Sequence, residues 1–182
     1  MCSQRRMRGY TMSLALWISI VLANWLVPLV LSWAYILFAW IPGWIEFYRY
    51  AGGLTWAFDL QDEKVDNWYT RAWAGWGGFG AMTVVILRDR PSQSPGGRYT
   101  QILAHEVRHS KQVLCLGMIQ PVLYMLFSLT LLLTSKLLKF TPDTHPYYDN
   151  PFERDARWAA GQQVNIPRSK WYRGPDDYWP WM

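Results

Sequence analysis

His105, Glu106 and His109 stand in the run HEVRH, an H-E-x-x-H pattern in a chain that has only 3 His among its 182 residues. On a helix, positions i and i+4 lie on one face about one turn apart. Two imidazoles so placed can hold one Zn²⁺, and the carboxylate beside the first can take a proton from water activated by the ion. With 3 His and four Glu placed at random, the pattern would arise roughly once in a thousand such chains, which measures how far it stands above coincidence. The bland alternative is an exposed helical turn with two ordinary histidines.

A catalytic zinc takes three protein ligands and leaves one position open. The third ligand is expected downstream, in Asn150-Pro151-Phe152-Glu153-Arg154-Asp155-Ala156-Arg157. Pro151 suits a first helical turn with Asn150 as its cap, which puts Glu153 in that turn. Asp155 and Asp149 are weaker candidates, and His145 would make an all-histidine site instead.

These residues must sit on suitable elements. Tyr99 to Leu114 reads as a helix, with Ile102, Leu103, Ala104, Val107 and Leu114 on an apolar back and His105, His109 and Gln112 on the other side. Pro95-Gly96-Gly97 is a turn signal, so the helix should begin near Arg98 to Thr100. Ala81-Met82-Thr83-Val84-Val85-Ile86-Leu87 reads as a strand, which could pair its edge with an extended peptide.

A strand, a helix carrying H-E-x-x-H and a later helix supplying Glu resemble the gluzincin branch of the zinc metallopeptidases. HEVRHSKQ followed by HPYYDNPFERDA is also similar to small bacterial and phage membrane-associated zincin-like proteins. The resemblance covers roughly residues 80 to 160 and rests on His105, Glu106, His109, Gln112, Asn150, Pro151, Glu153 and Ala156. It implies His105, His109 and Glu153 as zinc ligands and Glu106 as general base. Arg157 stands where some gluzincins carry an Asp that supports a ligand.

The rest of the chain suggests a membrane. Arg5, Arg6 and Arg8 precede a stretch from Gly9 to Ile45 that has no Asp, Glu, Lys or Arg. Its apolar core is longer than the about 20 residues a bilayer crossing needs, and longer than the apolar region of a signal peptide. Residues 1–45 are therefore expected to be a retained anchor. Pro28 allows a single kinked span, which puts the zinc domain on the periplasmic or exterior side. It also allows a hairpin that returns the domain to the cytoplasm. Mean hydropathy is only −0.08 because the remainder is polar.

Residues 46–162 are expected to form the zincin-like domain, and 163–182 an aromatic tail. Within the domain, 113–140 is apolar. If His109 and Glu153 meet at one ion, the chain must enter and leave this stretch on one side. It is too short for two crossings of about 20 residues each. A re-entrant, interfacial or core hairpin is expected, bent near Pro121.

Other signals are few. The 13 Trp read mainly as packing or membrane-surface contacts, with Trp40 and Trp44 in an interfacial belt. Cys2 and Cys115 imply no disulfide framework. Neither a phosphate-binding glycine loop nor a nucleophile-elbow motif occurs. The net charge of +5 comes without a nucleic-acid-binding motif, so the expected partners are a lipid membrane and a peptide or protein substrate, and no nucleic acid. The sequence thus implies an α+β, mainly helical, zincin-like minidomain with a membrane anchor, acting as a zinc metallopeptidase. The rival expectation is a non-enzymatic membrane protein, a phage or envelope structural factor, that keeps such a fold.

Overall fold

A computed structural model describes residues 14–61, 64–73, 78–88, 98–139 and 144–165. The N-terminal arginines, the Pro95-Gly96-Gly97 turn and the tail from 166 onward lie outside these residues. The elements in order are α1 (Leu14–Trp40), β1 (Ile45–Gly52), β2 (Thr55–Leu60), α2 (Trp68–Trp73), β3 (Gly78–Ala81), β4 (Val84–Leu87), α3 (Arg98–Leu116), α4 (Ile119–Leu132, prolonged by a π turn, Leu133–Leu137) and α5 (Pro151–Ala159). Helix and sheet are mixed, as expected of an α+β chain with an apolar N-terminal helix.

The sheet has the order β1-β2-β4-β3. β1 pairs antiparallel with β2, β2 parallel with β4, and β4 antiparallel with β3. Both faces are covered, and the central strands are apolar on both for that reason. Phe58, Leu60, Val84 and Ile86 point to one side, where Ile36 and Ala39 of α1 and Tyr69 of α2 complete a cluster. Ala57, Val85 and Leu87 point to the other, against Leu103 of α3 with Ile102 and Val107 beside it.

Two expectations change at this level. The run Ala81 to Leu87 is not one strand. Met82 and Thr83 form a tight turn, Met82 at φ 49°, between β3 and β4. β4 therefore lies inside the sheet between β2 and β3 and cannot offer an edge to a peptide. The bend in the apolar stretch falls at Gly117, φ 62°, rather than at Pro121. Pro121 sits in the first turn of α4, where its missing N–H costs nothing.

Pro28 lies inside α1. A proline there cannot donate to the carbonyl four residues back, which is that of Asn24. Met118 N–H donates to that carbonyl instead, at 2.9 Å. Nδ2 of Asn24 donates to Leu116 O at 3.1 Å, and Nε1 of Trp25 to Leu114 O at 2.8 Å. The last carbonyls of α3 have no helical partner of their own, and α1 satisfies two of them. The approach is so close that a Cβ on Gly117 would come within 2.3 Å of the Asn24 side chain.

Two helices are long and apolar enough to cross a membrane, Leu14–Trp40 and Ile119–Leu137. Most of their apolar side chains are exposed, among them Leu22, Val30 and Leu31 on α1 and Val122, Met125 and Leu126 on α4.

Candidate metal centre

α3 carries the H-E-x-x-H residues and packs against the edge strand β3. The packing distance is set by glycine. A Cβ on Gly80 would lie 2.2 Å from the backbone oxygen of Glu106, and one on Gly78 would lie 2.7 Å from Cγ of Glu106. Only bare backbone lets α3 lie this close to β3. The Glu106 carboxylate is buried there and accepts a hydrogen bond from the Gly80 backbone. Burial raises its pKa above the ordinary carboxylate range, although both imidazoles favour its charge.

α5 supplies Glu153. Asn150 caps this helix, accepting from Phe152 N–H at 3.0 Å, and Pro151 opens it. Nδ2 of Asn150 donates to Tyr124 O at 3.0 Å and to Ser128 Oγ at 2.8 Å, which ties the start of α5 to α4. Glu153 thus enters from the first turn of α5.

The three side chains converge. Nε2 of His105 and Nε2 of His109 are 3.1 Å apart. The first lies 3.2 Å from Oε2 of Glu153, the second 3.3 Å from Oε1. Four tetrahedral donors at zinc-like bond lengths of 2.0–2.1 Å would stand about 3.3 Å from one another. Among the described residues, His105, His109 and Glu153 are the group of His, Cys, Asp and Glu side chains that could hold a metal ion.

The far side of each ring decides what faces the centre. Nδ1 of His109 is 2.8 Å from Oε1 of Gln112. The orientation of that amide is fixed, because its Nε2 donates to Phe152 O at 3.0 Å and to Asp155 Oδ2 at 2.7 Å. An oxygen therefore faces Nδ1, so Nδ1 carries the proton and Nε2 turns a lone pair inward. Nδ1 of His105 lies 3.1 Å from Oε1 of Gln162, and where that oxygen faces it the same tautomer follows. Two lone pairs and a carboxylate then share one space and call for a cation. Buried Oε2 of Glu153 makes no hydrogen bond of good geometry, with Nε2 of His105 at 3.2 Å and the Arg157 guanidinium at 3.9 Å as its nearest positive or donor groups. Without metal, a proton takes this part. Burial disfavours charge on His109, but the adjacent Glu153 carboxylate overrides it and raises its pKa to about 9. Burial likewise opposes charge on Glu153, and both imidazoles hold it well below the usual range.

The other candidate ligands have different duties. Asp155 takes a two-pronged contact from Arg108, at 2.7 and 2.9 Å, and holds Gln112. His145 accepts at Nδ1 from the N–H groups of Tyr147 and Tyr148, and burial with Lys136 nearby lowers its pKa to about 4. Asp149 caps the same turn, accepting from His145 N–H at 2.7 Å. Arg157 donates to Tyr148 O at 2.7 Å and reaches to 3.9 Å from Oε2 of Glu153. Sequence reasoning missed Gln162, which lies beyond α5, and Tyr124, whose hydroxyl donates to Oε1 of Glu153 at 2.9 Å.

No protein family, curated protein or solved structure was found to match this chain.

Proposed function

We propose that the chain is a membrane-anchored zinc metallopeptidase of the gluzincin type, with His105, His109 and Glu153 as zinc ligands and Glu106 as general base. One observation carries the reading: Glu106 is held beside the ligand triad without serving in it. A buried carboxylate costs stability unless it is paired and hydrogen-bonded, and Glu106 is held by one backbone bond with its charge facing the two imidazoles. Two imidazoles and a carboxylate at tetrahedral spacing suit Zn²⁺. The ion would polarise a scissile carbonyl and make water acidic enough to lose a proton near neutral pH.

The chain's own residues do the rest. Gly80 N–H orients the Glu106 carboxylate. Its raised pKa suits it to accept a proton from water and hand it to the leaving amine. Gln112 keeps the ring proton of His109 on its outer nitrogen, and Gln162 meets the outer nitrogen of His105. An extended substrate would find a sheet edge at β3, beside α3, and not at β4.

For localisation, we read α1 as a retained anchor kinked at Pro28. α4 is read as an interfacial or re-entrant helix, because Asn150 bonds back to Tyr124 and Ser128 near its middle, so the chain returns to the side from which it entered.

The test pairs metal content with hydrolysis. Purified protein is expected to hold about one zinc per chain. Glu106→Gln is expected to keep the zinc and lose at least about a hundredfold in peptide turnover. Undiminished biological activity in Glu106→Gln would replace this reading with that of a non-enzymatic membrane scaffold.

A further inference from the structure

The centre is fastened to the apolar helices and not merely linked to them through the chain. Tyr124, which donates to Glu153, is the sixth residue of α4 and lies only about 8 Å along its axis from its start. Asn150, which caps the ligand helix, is buried against the same turn and the next, at Tyr124 and Ser128. On its other side, α3 is joined at its C-terminal end to the middle of α1, through Asn24 and Trp25. Val122, Met125 and Leu126, interleaved with Tyr124 along α4, are exposed. Where Val122, Met125 and Leu126 of α4 meet lipid, the Tyr124 that grips Glu153 lies within about one helical turn of that lipid.

We infer that the substrate of this site is a polypeptide tethered to the same bilayer by an apolar segment of its own, cut close to where it leaves the membrane. The inference rests on the metallopeptidase reading and narrows it. A soluble peptide must find a centre held at the membrane surface from bulk water. A tethered one is already confined to that layer, and making a second encounter intramolecular in this way can raise overall avidity by about 10²–10⁴-fold without any new contact. The same attachment limits reach, because Glu153 cannot move away from α4 without breaking the Tyr124 and Asn150 contacts.

The experiment uses full-length, zinc-loaded protein in phosphatidylcholine–phosphatidylglycerol vesicles. One degenerate peptide library is offered free in solution and, in parallel, joined to a transmembrane stretch of about 20 Leu and Ala residues. The tethered library should be cut with a kcat/KM at least about a hundredfold higher. Its cleavage sites should cluster near the membrane end. Equal turnover of the two libraries overturns the inference and leaves the peptidase reading standing. Turnover of neither overturns the peptidase reading, and the inference falls with it.

A second readout needs no activity. Cys115 is exposed on α3, near the helix end that α1 grips. A bimane placed on it, in a Cys2→Ser background, should be quenched by nitroxides carried on lipid more than by aqueous iodide. Quenching by iodide alone would place the site away from the bilayer and overturn the inference.

Discussion

The side-chain carbonyl of Gln112 stands 2.8 Å from Nδ1 of His109, and its amide nitrogen is committed to Phe152 O and Asp155. That arrangement ties the tautomer of a helix α3 residue to the backbone of helix α5. Gln112→Ala frees the ring to rotate and to exchange tautomers. Metal affinity should fall by about 10–100-fold, read by competition with a chromophoric chelator. An unchanged affinity would mean that the imidazole is oriented by something else.

The ligand assignment separates Glu153 from its acidic neighbour. Glu153→Ala should weaken metal binding more than the about 10–100-fold expected of a supporting residue. Asp155→Ala should cost less than Glu153→Ala, since Asp155 acts through Gln112 and Arg108. His145→Ala should leave metal stoichiometry unchanged, because its Nδ1 is engaged with the Tyr147 and Tyr148 backbone. Loss of metal in His145→Ala alone would make the site all-histidine.

Protons compete with the ion for the same atoms. In the metal-free protein His109 holds its proton up to about pH 9, so below that pH metal binding must expel it. Apparent affinity should therefore rise by about tenfold per pH unit between pH 7 and 9 and level off above. The sign for stability is opposite. The raised His109 pKa stabilises the metal-free fold fully below the ordinary histidine pKa, and that contribution is lost as pH rises through about 9. A pH-independent affinity over this window would refute the proton-for-metal exchange.

Gly80 tests the packing beneath the site. With a Cβ 2.2 Å from the Glu106 carbonyl oxygen, Gly80→Ala must push α3 off β3. A loss of about 1–3 kcal/mol is expected. Thermal denaturation should show a Tm lower by about 2–4 °C for each kcal/mol. Metal affinity should drop with it, since His109 Cβ lies on the same contact at 3.2 Å.

Much of the centre can be read from residue types and spacing. The i, i+4 histidines need only a helix, and the Asn-Pro start of α5 marks its first turn closely enough to aim Glu153. Both are local rules. Gln162 was not legible, because it follows the end of α5 with no pattern to flag it and reaches His105 only through the fold. Tyr124 hides in an apolar run whose composition speaks of lipid and not of a carboxylate partner. The β3–β4 turn was missed because Met82 and Thr83 carry none of the usual turn chemistry, although Met82 adopts a left-handed backbone. β1 and β2 went unread, since Ile45 to Leu60 mixes aromatic, charged and glycine residues without clean alternation.

The bond between Asn24 and the corner after α3 has a consequence for biogenesis. Asn24 and Met118, whose N–H serves the carbonyl that Pro28 leaves free, stand 94 residues apart in sequence. At ribosomal speeds of about 5–20 residues per second, roughly 5–20 s pass between the making of Asn24 and the making of its partner. Throughout that interval Pro28 leaves a bare carbonyl in the middle of an apolar helix. Until Met118 is made and docks, water or another polar group must serve that carbonyl. If α1 is the anchor proposed above, its packing around Pro28 is completed only once α3 is made, from the far half of the chain.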